Sequence, residues 1–373
     1  MNIKKFRTWI NIDKKTIVSN VLQLSSICPI ETKFIAVVKG NAYGHGMVET
    51  SSALSKMKEV DYLAVFTVDE AIELRKNGIL KNILVLKNLS KNEIDLVEKY
   101  NLEVCVSSTY SLSSIKYNKI KIHLCVDTGL GRDGFLWSER EKVVLLLKKN
   151  KNIKVVGLFT HFSGAEERKF DTYTKKQLSE LLLWKKILNE NTFNPLVHAS
   201  ATSGAFLGKD FSLDMVRFGI GVYGLWPSGD TKKSAKNIDL KPVLSWYARI
   251  SEIKKVPKGS FIGYDLTYKT KKDSVLAVVP VGYFDGYSRA LSGKVEAIIA
   301  GKKVLQVGRV MMNMIVFDVS SVKNVKEGGI VTLIGHDKKN KIEISIDELS
   351  EKRGTINYET VTGINPEIPR IVI

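Results

Sequence analysis

Between residues 32 and 220, short apolar runs alternate with longer stretches whose apolar residues suit one helix face. The runs 34–38, 62–66, 83–86, 102–106, 120–126, 155–159, 196–198 and 213–218 are short and rich in β-branched residues. That is the pattern of strands covered on both faces. The intervening 47–58, 68–76 and 169–188 read as amphipathic helices, with Ala71, Ile72 and Leu74 suiting the buried side of the second. About eight strand-then-helix units predict a parallel sheet closed into an α/β barrel of the TIM-like (β/α)8 type.

The pattern changes after Trp226-Pro227-Ser228-Gly229-Asp230, where a polar, lysine-rich stretch to Lys241 reads as a linker. Strand patterns then dominate over 243–253, 274–281, 294–300, 303–307, 315–319 and 330–334. Turns are marked by Pro257-Lys258-Gly259, Gly301-Lys302 and Lys326-Glu327-Gly328-Gly329. The expected organisation is an N-terminal barrel over 12–235 and a mainly β C-terminal domain over 236–373, with residues 1–11 packing on the latter.

Composition narrows the function classes. The 373 residues are 44% hydrophobic and 26% charged, as in ordinary soluble globular proteins. No apolar run approaches the ~20 residues of a membrane span, and Lys4, Lys5 and Arg7 have no apolar stretch behind them of the kind a signal peptide needs. No membrane partner is expected. Cys28, Cys105 and Cys125 show neither paired nor metal-type spacing, and the five histidines form no ligand pair. A reducing cytoplasm and no metal are expected. The net charge of +18 arises from lysines dispersed along the chain without interleaved aromatics, which argues against a nucleic-acid partner.

Candidate chemistry centres on the run Phe34-Ile35-Ala36-Val37-Val38-Lys39-Gly40-Asn41-Ala42-Tyr43-Gly44-His45-Gly46. Lys39 ends a buried strand, at the edge where α/β folds place their chemistry. On position alone it is a solvated lysine where the strand emerges. The nearby glycines and Tyr43 favour a ligand site, where a desolvated amine of lowered pKa can form a Schiff base. Arg132, on the glycine-rich loop after 120–126, is either an exposed loop arginine or a fork for a carboxylate. Ser203 lies in a hydroxyl-rich turn that opens a helix, which suits either a plain cap or a phosphate. Arg217, inside an apolar strand, needs a partner for its charge.

These motifs resemble the alanine racemase family along nearly the whole chain. V-V-K-G-N-A-Y-G-H-G is similar to that family's cofactor-lysine motif, D-T-G-L-G-R to its D-T-G-M-x-R, and V-R-F-G-I-G-V-Y-G to its V-R-x-G-[IL]-x-x-Y-G. G-Y-F-D-G-Y-S-R and G-R-V-M-M-N-M match two signatures of its β domain. The resemblance implies pyridoxal 5'-phosphate on Lys39, with Tyr43, Ser203, Tyr358 and the backbone of Gly219 and Ile220 about its phosphate. It places Arg217 at the pyridine nitrogen, with His161 packed by the ring and supporting the arginine. It assigns Arg132 and Met312 to the substrate carboxylate, and Tyr283 to the entrance. Lys39 and Tyr264 become the two bases that interconvert L- and D-alanine, an amino-acid isomerase activity supplying D-alanine for peptidoglycan. Tyr264, Tyr283 and Met312 are expected to come from the partner subunit of a homodimer. A tyrosine base needs a nearby cation or hydrogen bond to lower its pKa from ~10.

Thr202 stands where the family pattern has an asparagine, and two further departures bear on the substrate. Cys125 replaces a lysine that many relatives carry as a carbamate, and Asn313 replaces an aspartate. They leave open a racemase of serine or a longer amino acid. A barrel-type decarboxylase and a non-catalytic cofactor-binding protein are the remaining readings.

Overall fold

The computed structural model describes residues 5–373, so residues 1–4 of the expected 1–11 segment lie outside the described residues. The chain forms two compact units. One comprises 15–42 and 50–241; the other comprises the described residues up to 14 together with 43–49 and 242–373.

A first strand, β1 (Thr8–Ile12), belongs to the second unit. The first unit is a closed parallel barrel of β2 (Lys33–Val37), β3 (Tyr62–Val65), β4 (Asn82–Asn88), β5 (Glu103–Val106), β6 (Ile120–Cys125), β7 (Ile153–Phe159), β8 (Leu196–His198) and β9 (Met215–Phe218). Closure runs from Lys33 opposite Met215 to Ala36 opposite Phe218. The apolar runs form these strands because both faces are covered: residues 34–38 of the first run are all buried. The helix Asp171–Glu190 buries Thr174, Gln177, Leu181, Trp184 and Leu188, a single stripe at helical spacing.

The linker reading of the stretch to Lys241 is corrected by the structure. It contains the helix Gly229–Ser234, whose first turn is capped by Ser228 Oγ accepting from Thr231 N at 3.1 Å. Gln23 and Asn20 then bind the backbone of Asp239 and Lys241 in both directions, at 2.6–3.0 Å. A polar stretch can be ordered by such side-chain-to-backbone bonds, which leave no periodicity to read.

The second unit is mainly β. Its ten-stranded sheet runs β11-β12-β15-β14-β13-β16-β10-β1-β18, with β17 on β16. The strands are β10 (Leu244–Arg249), β11 (Glu252–Val256), β12 (Ser274–Val279), β13 (Glu296–Ile299), β14 (Lys302–Val307), β15 (Ile315–Asp318), β16 (Ile330–Asp337), β17 (Ile342–Ile344) and β18 (Arg370–Val372). The single strand expected over 243–253 is two, because the chain leaves one neighbour at Ile250 and joins another at Ser251, whose N–H donates to Val278 O. β1, β17 and β18 have three to five residues each, too few to show a period. β1 lies between antiparallel β10 and parallel β18.

Trp184 has no exposed surface and meets Trp137 edge-on at 5.7 Å. Trp184→Ala is expected to lower barrel stability by about 3–5 kcal/mol, measured by urea unfolding followed by circular dichroism.

Candidate active site

The barrel unit brings Lys39, Arg132, His161 and Arg217 into mutual electrostatic range at the carboxyl ends of its strands. Lys39 follows the end of β2, and Val38 N donates to Ala64 O at 2.8 Å to keep that end in the sheet. Beyond it the backbone turns left-handed: φ is +62° at Gly40, +55° at Asn41, +53° at Ala42 and +53° at Tyr43. Glycine adopts this conformation freely, but it costs the three others about 1–2 kcal/mol each. Strain of that kind persists only where surrounding bonds hold it. Ala42 N donates to Val38 O, and Gly40 N donates to Glu70 Oε1 at 2.9 Å. The other oxygen of Glu70 accepts from Phe66 and Thr67, closing a capping box with Thr67.

The Lys39 amine lies 5.7 Å from the Phe66 ring centre. Burial lowers its pKa, and the cations Arg132 and Arg217 lower it further, against an opposite pull from Glu70. A lysine so placed reaches its neutral, nucleophilic form more readily than a solvated one.

Arg217 is buried in β9 and surrounded by acceptors. Nη1 donates to His198 Nδ1 at 2.5 Å, and Nη2 reaches Ala199 O at 2.8 Å, Thr160 O at 2.9 Å and His161 Nδ1 at 3.1 Å. Because a guanidinium only donates, His161 accepts through Nδ1. Burial, then Arg217, Arg132 and Lys39, push the His161 pKa down to about 3. The imidazole is neutral at working pH.

Arg132 is exposed on the loop after β6. That loop is ordered by Asp127, whose carboxylate accepts from Gly129, Leu130 and Gly131 at 2.9–3.2 Å, and by Tyr173, whose hydroxyl donates to Gly129 O at 2.8 Å. The Cys125 thiol donates to Asp133 O at 3.6 Å and packs with Cys105 and Phe159. Buried Gln177 links this loop to the next strand end, bonding Thr128 Oγ1, His161 O and Ser163.

Ser203 is buried in the short helix Thr202–Ala205. The turn carrying Gly219 and Ile220 follows β9, and Gly221 N donates to Thr202 Oγ1 at 3.4 Å, so the two turns adjoin. Tyr223 ties this region to β2 by donating to Val37 O at 2.8 Å, two residues before Lys39.

The remaining candidates lie in the second unit. Tyr43 and Tyr358 pack with ring centres 6.0 Å apart. Tyr264 is two-thirds exposed and follows Gly263 (φ +77°), while Asp265 and Leu266 after it are also left-handed. Asp265 holds this turn by pairing with Arg289 at 3.0 Å and Arg309 at 3.3 Å. Tyr283 N donates to Met311 O and Phe284 N to Met312 O, so these segments adjoin. Tyr283 and Met312 are both exposed. Among the described residues no cluster of His, Cys, Asp and Glu could hold a metal ion, and no helix is long and apolar enough to cross a membrane.

Sequence reasoning missed Glu70, Asp127, Tyr173, Gln177 and His198. The signal for Glu70 was present, since Thr67-Val68-Asp69-Glu70 has capping-box spacing. Asp127 before Gly129 carries an Asx-turn signal. Gln177 and His198 have none, being functional only through residues distant in sequence.

Comparison with known proteins gives a consistent result over the full length. Residues 12–227 match the family model for the alanine racemase N-terminal domain, and 243–372 match that for the C-terminal domain. The chain is 40% identical to an alanine racemase of Halothermothrix orenii, covering 97% of this chain and 96% of the relative. It is 38% identical to one from Methanococcus maripaludis, covering 98% of each. Among solved structures, an alanine racemase of Clostridium difficile superposes with a TM-score of 0.92 at 31% identity, covering 99% and 96% of the two chains. One from Bacillus anthracis, with bound L-Ala-P, superposes at 0.90 and 33% identity, covering 98% and 95%.

The depressed His161 pKa makes a thermodynamic prediction. Below its unfolded value of ~6.5 the unfolded chain takes up a proton that the folded chain refuses down to about 3. Unfolding free energy should therefore fall as pH drops through that window and be insensitive to His161 above it. Urea titrations over a pH series should show a shallower acid slope for His161→Asn.

Proposed function

This chain belongs to the alanine racemase family, and we infer that it interconverts L- and D-alanine with pyridoxal 5'-phosphate held on Lys39. The observation that carries this reading is the lysine itself: an amine of lowered basicity at a barrel strand's carboxyl end, braced by Glu70 and beside two guanidinium groups. The full-length kinship with alanine racemases does not favour a serine racemase, a decarboxylase or a cofactor-binding protein without turnover.

The residues present fit the cofactor. A partly desolvated amine suits an aldehyde carbon, and Arg217 offers a fixed positive group for a ring nitrogen that keeps its lone pair. Ser203 and the turn at Gly219 and Ile220 suit a phosphate. The cofactor, when bound, acidifies the α-hydrogen of an amino acid by drawing off its electron pair.

The protein's groups then manage the proton. The Lys39 Nζ takes or returns it on one face of the α-carbon, and the Tyr264 hydroxyl does so on the other, so that the configuration inverts. Arg217 has only donors to offer and cannot supply the acidic partner that other uses of the cofactor require. This favours prompt return of the proton over loss of a carboxylate. His161, neutral, supports Arg217. Arg132 and the backbone at Met312 hold the substrate carboxylate, Tyr283 narrows the entrance, and a small tyrosine-rimmed pocket selects a methyl side chain.

The functional unit in this reading is a homodimer, in which Tyr264, Tyr283 and Met312 complete the partner's site. Its support is the exposure of Phe261, Tyr264, Leu266, Phe284, Met312 and Met314 on adjoining segments, an apolar surface of the kind that another chain covers. The enzyme works in the cytoplasm, where its three free thiols stay reduced, and supplies D-alanine for peptidoglycan.

Two experiments test these assignments. Lys39→Ala should abolish the visible absorption that borohydride bleaches in the wild type and lower racemisation by about 10²–10⁴-fold or more; Tyr264→Phe should lose a similar factor while still exchanging the α-hydrogen of one alanine enantiomer with deuterated solvent. Substantial racemisation by the lysine variant would sink the mechanism. Sedimentation equilibrium should give twice the chain mass, and a fully active monomer would exclude the shared site.

A further inference from the structure

Barrel interiors of this type are filled by layers of apolar side chains. Here the interior carries a continuous polar chain that the reaction, as described above, does not use. From Arg217 Nη1 it passes to His198 Nδ1 at 2.5 Å, from His198 Nε2 to His123 Nδ1 at 2.9 Å, and from His123 Nε2 to Glu103 Oε2 at 2.9 Å. All four residues are buried. Glu103 opens β5, His123 lies within β6 and His198 closes β8, so the chain runs from the carboxyl end of the barrel to its amino end.

The geometry fixes every proton along this path. Arg217 can only donate, so His198 Nδ1 accepts and its proton lies on Nε2. His123 Nδ1 must accept that proton's hydrogen bond, so its own proton also lies on Nε2 and is donated to the carboxylate of Glu103. Burial, then the Arg217 charge, holds the His198 pKa well below its ordinary value, in keeping with a neutral ring. A cation at one end and an anion at the other are thus joined by two neutral imidazoles in a single orientation.

The fold is shaped to admit this chain. The register of β6 on β7 shifts between Ile122 and His123, a bulge at the imidazole that forms the middle link. Opposite it stands Gly157, where an added Cβ would lie 2.0 Å from His123 Nδ1. Phe159 stacks on His198 at 4.9 Å and 5°, and the Arg217 guanidinium lies 5.3 Å from the same ring centre. Tyr62 meets His123 edge-on, and Lys121 approaches Glu103 at 4.0 Å. A buried ion costs stability unless its counter-charge is in place, so this arrangement needs a purpose beyond packing.

We propose that Glu103, acting through His123 and His198, is the remote counter-charge of Arg217, and that these three positioning residues hold the guanidinium correctly aimed for racemisation. The proposal rests on the assignment of Arg217 to the cofactor ring, and it names the residues that keep that arginine in one orientation. Glu103→Gln separates charge from geometry, because the amide oxygen can still accept from His123 while the negative charge is gone.

The test uses full-length holoenzyme with 15N-labelled histidine rings. Wild-type spectra should show His123 and His198 both neutral and protonated on Nε2. In Glu103→Gln at least one of these two signals should change tautomer or broaden, kcat should fall about tenfold with KM within about twofold, and pyruvate formed per racemisation event should rise; Glu103→Asp should restore all three. A charged ring or an Nδ1 tautomer in the wild type would overturn the chain as drawn. So would a Glu103→Gln enzyme with wild-type tautomers and wild-type partition between D-alanine and pyruvate. Should Glu103→Gln not fold, Gly157→Ala displaces His123 without altering any charge, and it must produce the same rise in pyruvate. A wild-type protein with the predicted tautomers but no racemisation would refute the functional assignment and leave the hydrogen-bond chain standing.

Discussion

A guanidinium buried inside a parallel barrel has to be satisfied on all sides, and much of the barrel's interior is arranged around that requirement. Arg217 is held by two carbonyls and two imidazoles, which come from the ends of β7 and β8 and the residues following them. Burial first, and then this cation among others, depress the basicity of Lys39 and of His161. A single buried charge therefore organises neighbouring strand ends and adds to the burial that keeps one histidine neutral and one lysine reactive. Its cost is offset because carbonyl and imidazole acceptors at those strand ends point at it.

Strain marks both stretches to which acid–base roles are assigned. The turn after Lys39 holds three non-glycine residues in the left-handed region, and the turn after Tyr264 holds two more. Each is clamped by a carboxylate: Glu70 takes the Gly40 N–H, and Asp265 binds Arg289 and Arg309. A strained turn held by charge-assisted bonds aims its side chain narrowly, and proton transfer between fixed atoms needs that precision. The loop of Arg132 uses a third carboxylate, Asp127, for the same end, so its order does not depend on a carboxyl group at position 125.

The barrel was legible because continuous β-branched runs have one stable use, and all eight runs became strands at close to their expected ends. The second unit was legible as mainly β, but not in its edges. Strands of three to five residues such as β17 and β18 exist only because a neighbour offers a ladder, and helix Gly229–Ser234 exists because Ser228 caps it. The candidate residues Lys39, Arg132 and Arg217 stood out by motif and by position at strand ends. Glu70 and Asp127 had local signals that could have been read.

What the sequence determined by itself was whatever depends on near neighbours: strand and helix periods, glycine-marked turns, and the motifs that tie the chain to its family. What only the tertiary structure decided was which distant side chains share a proton or a charge. Glu103, His123, His198 and Arg217 stand on four different strands, and each alone reads as an isolated polar residue in an apolar run. Barrel closure brings their side chains within hydrogen-bond reach, and burial in a low dielectric makes those contacts decisive. Lys39 shows the same division: its place at a strand end was written locally, whereas its lowered basicity comes from burial and from arginines far along the chain.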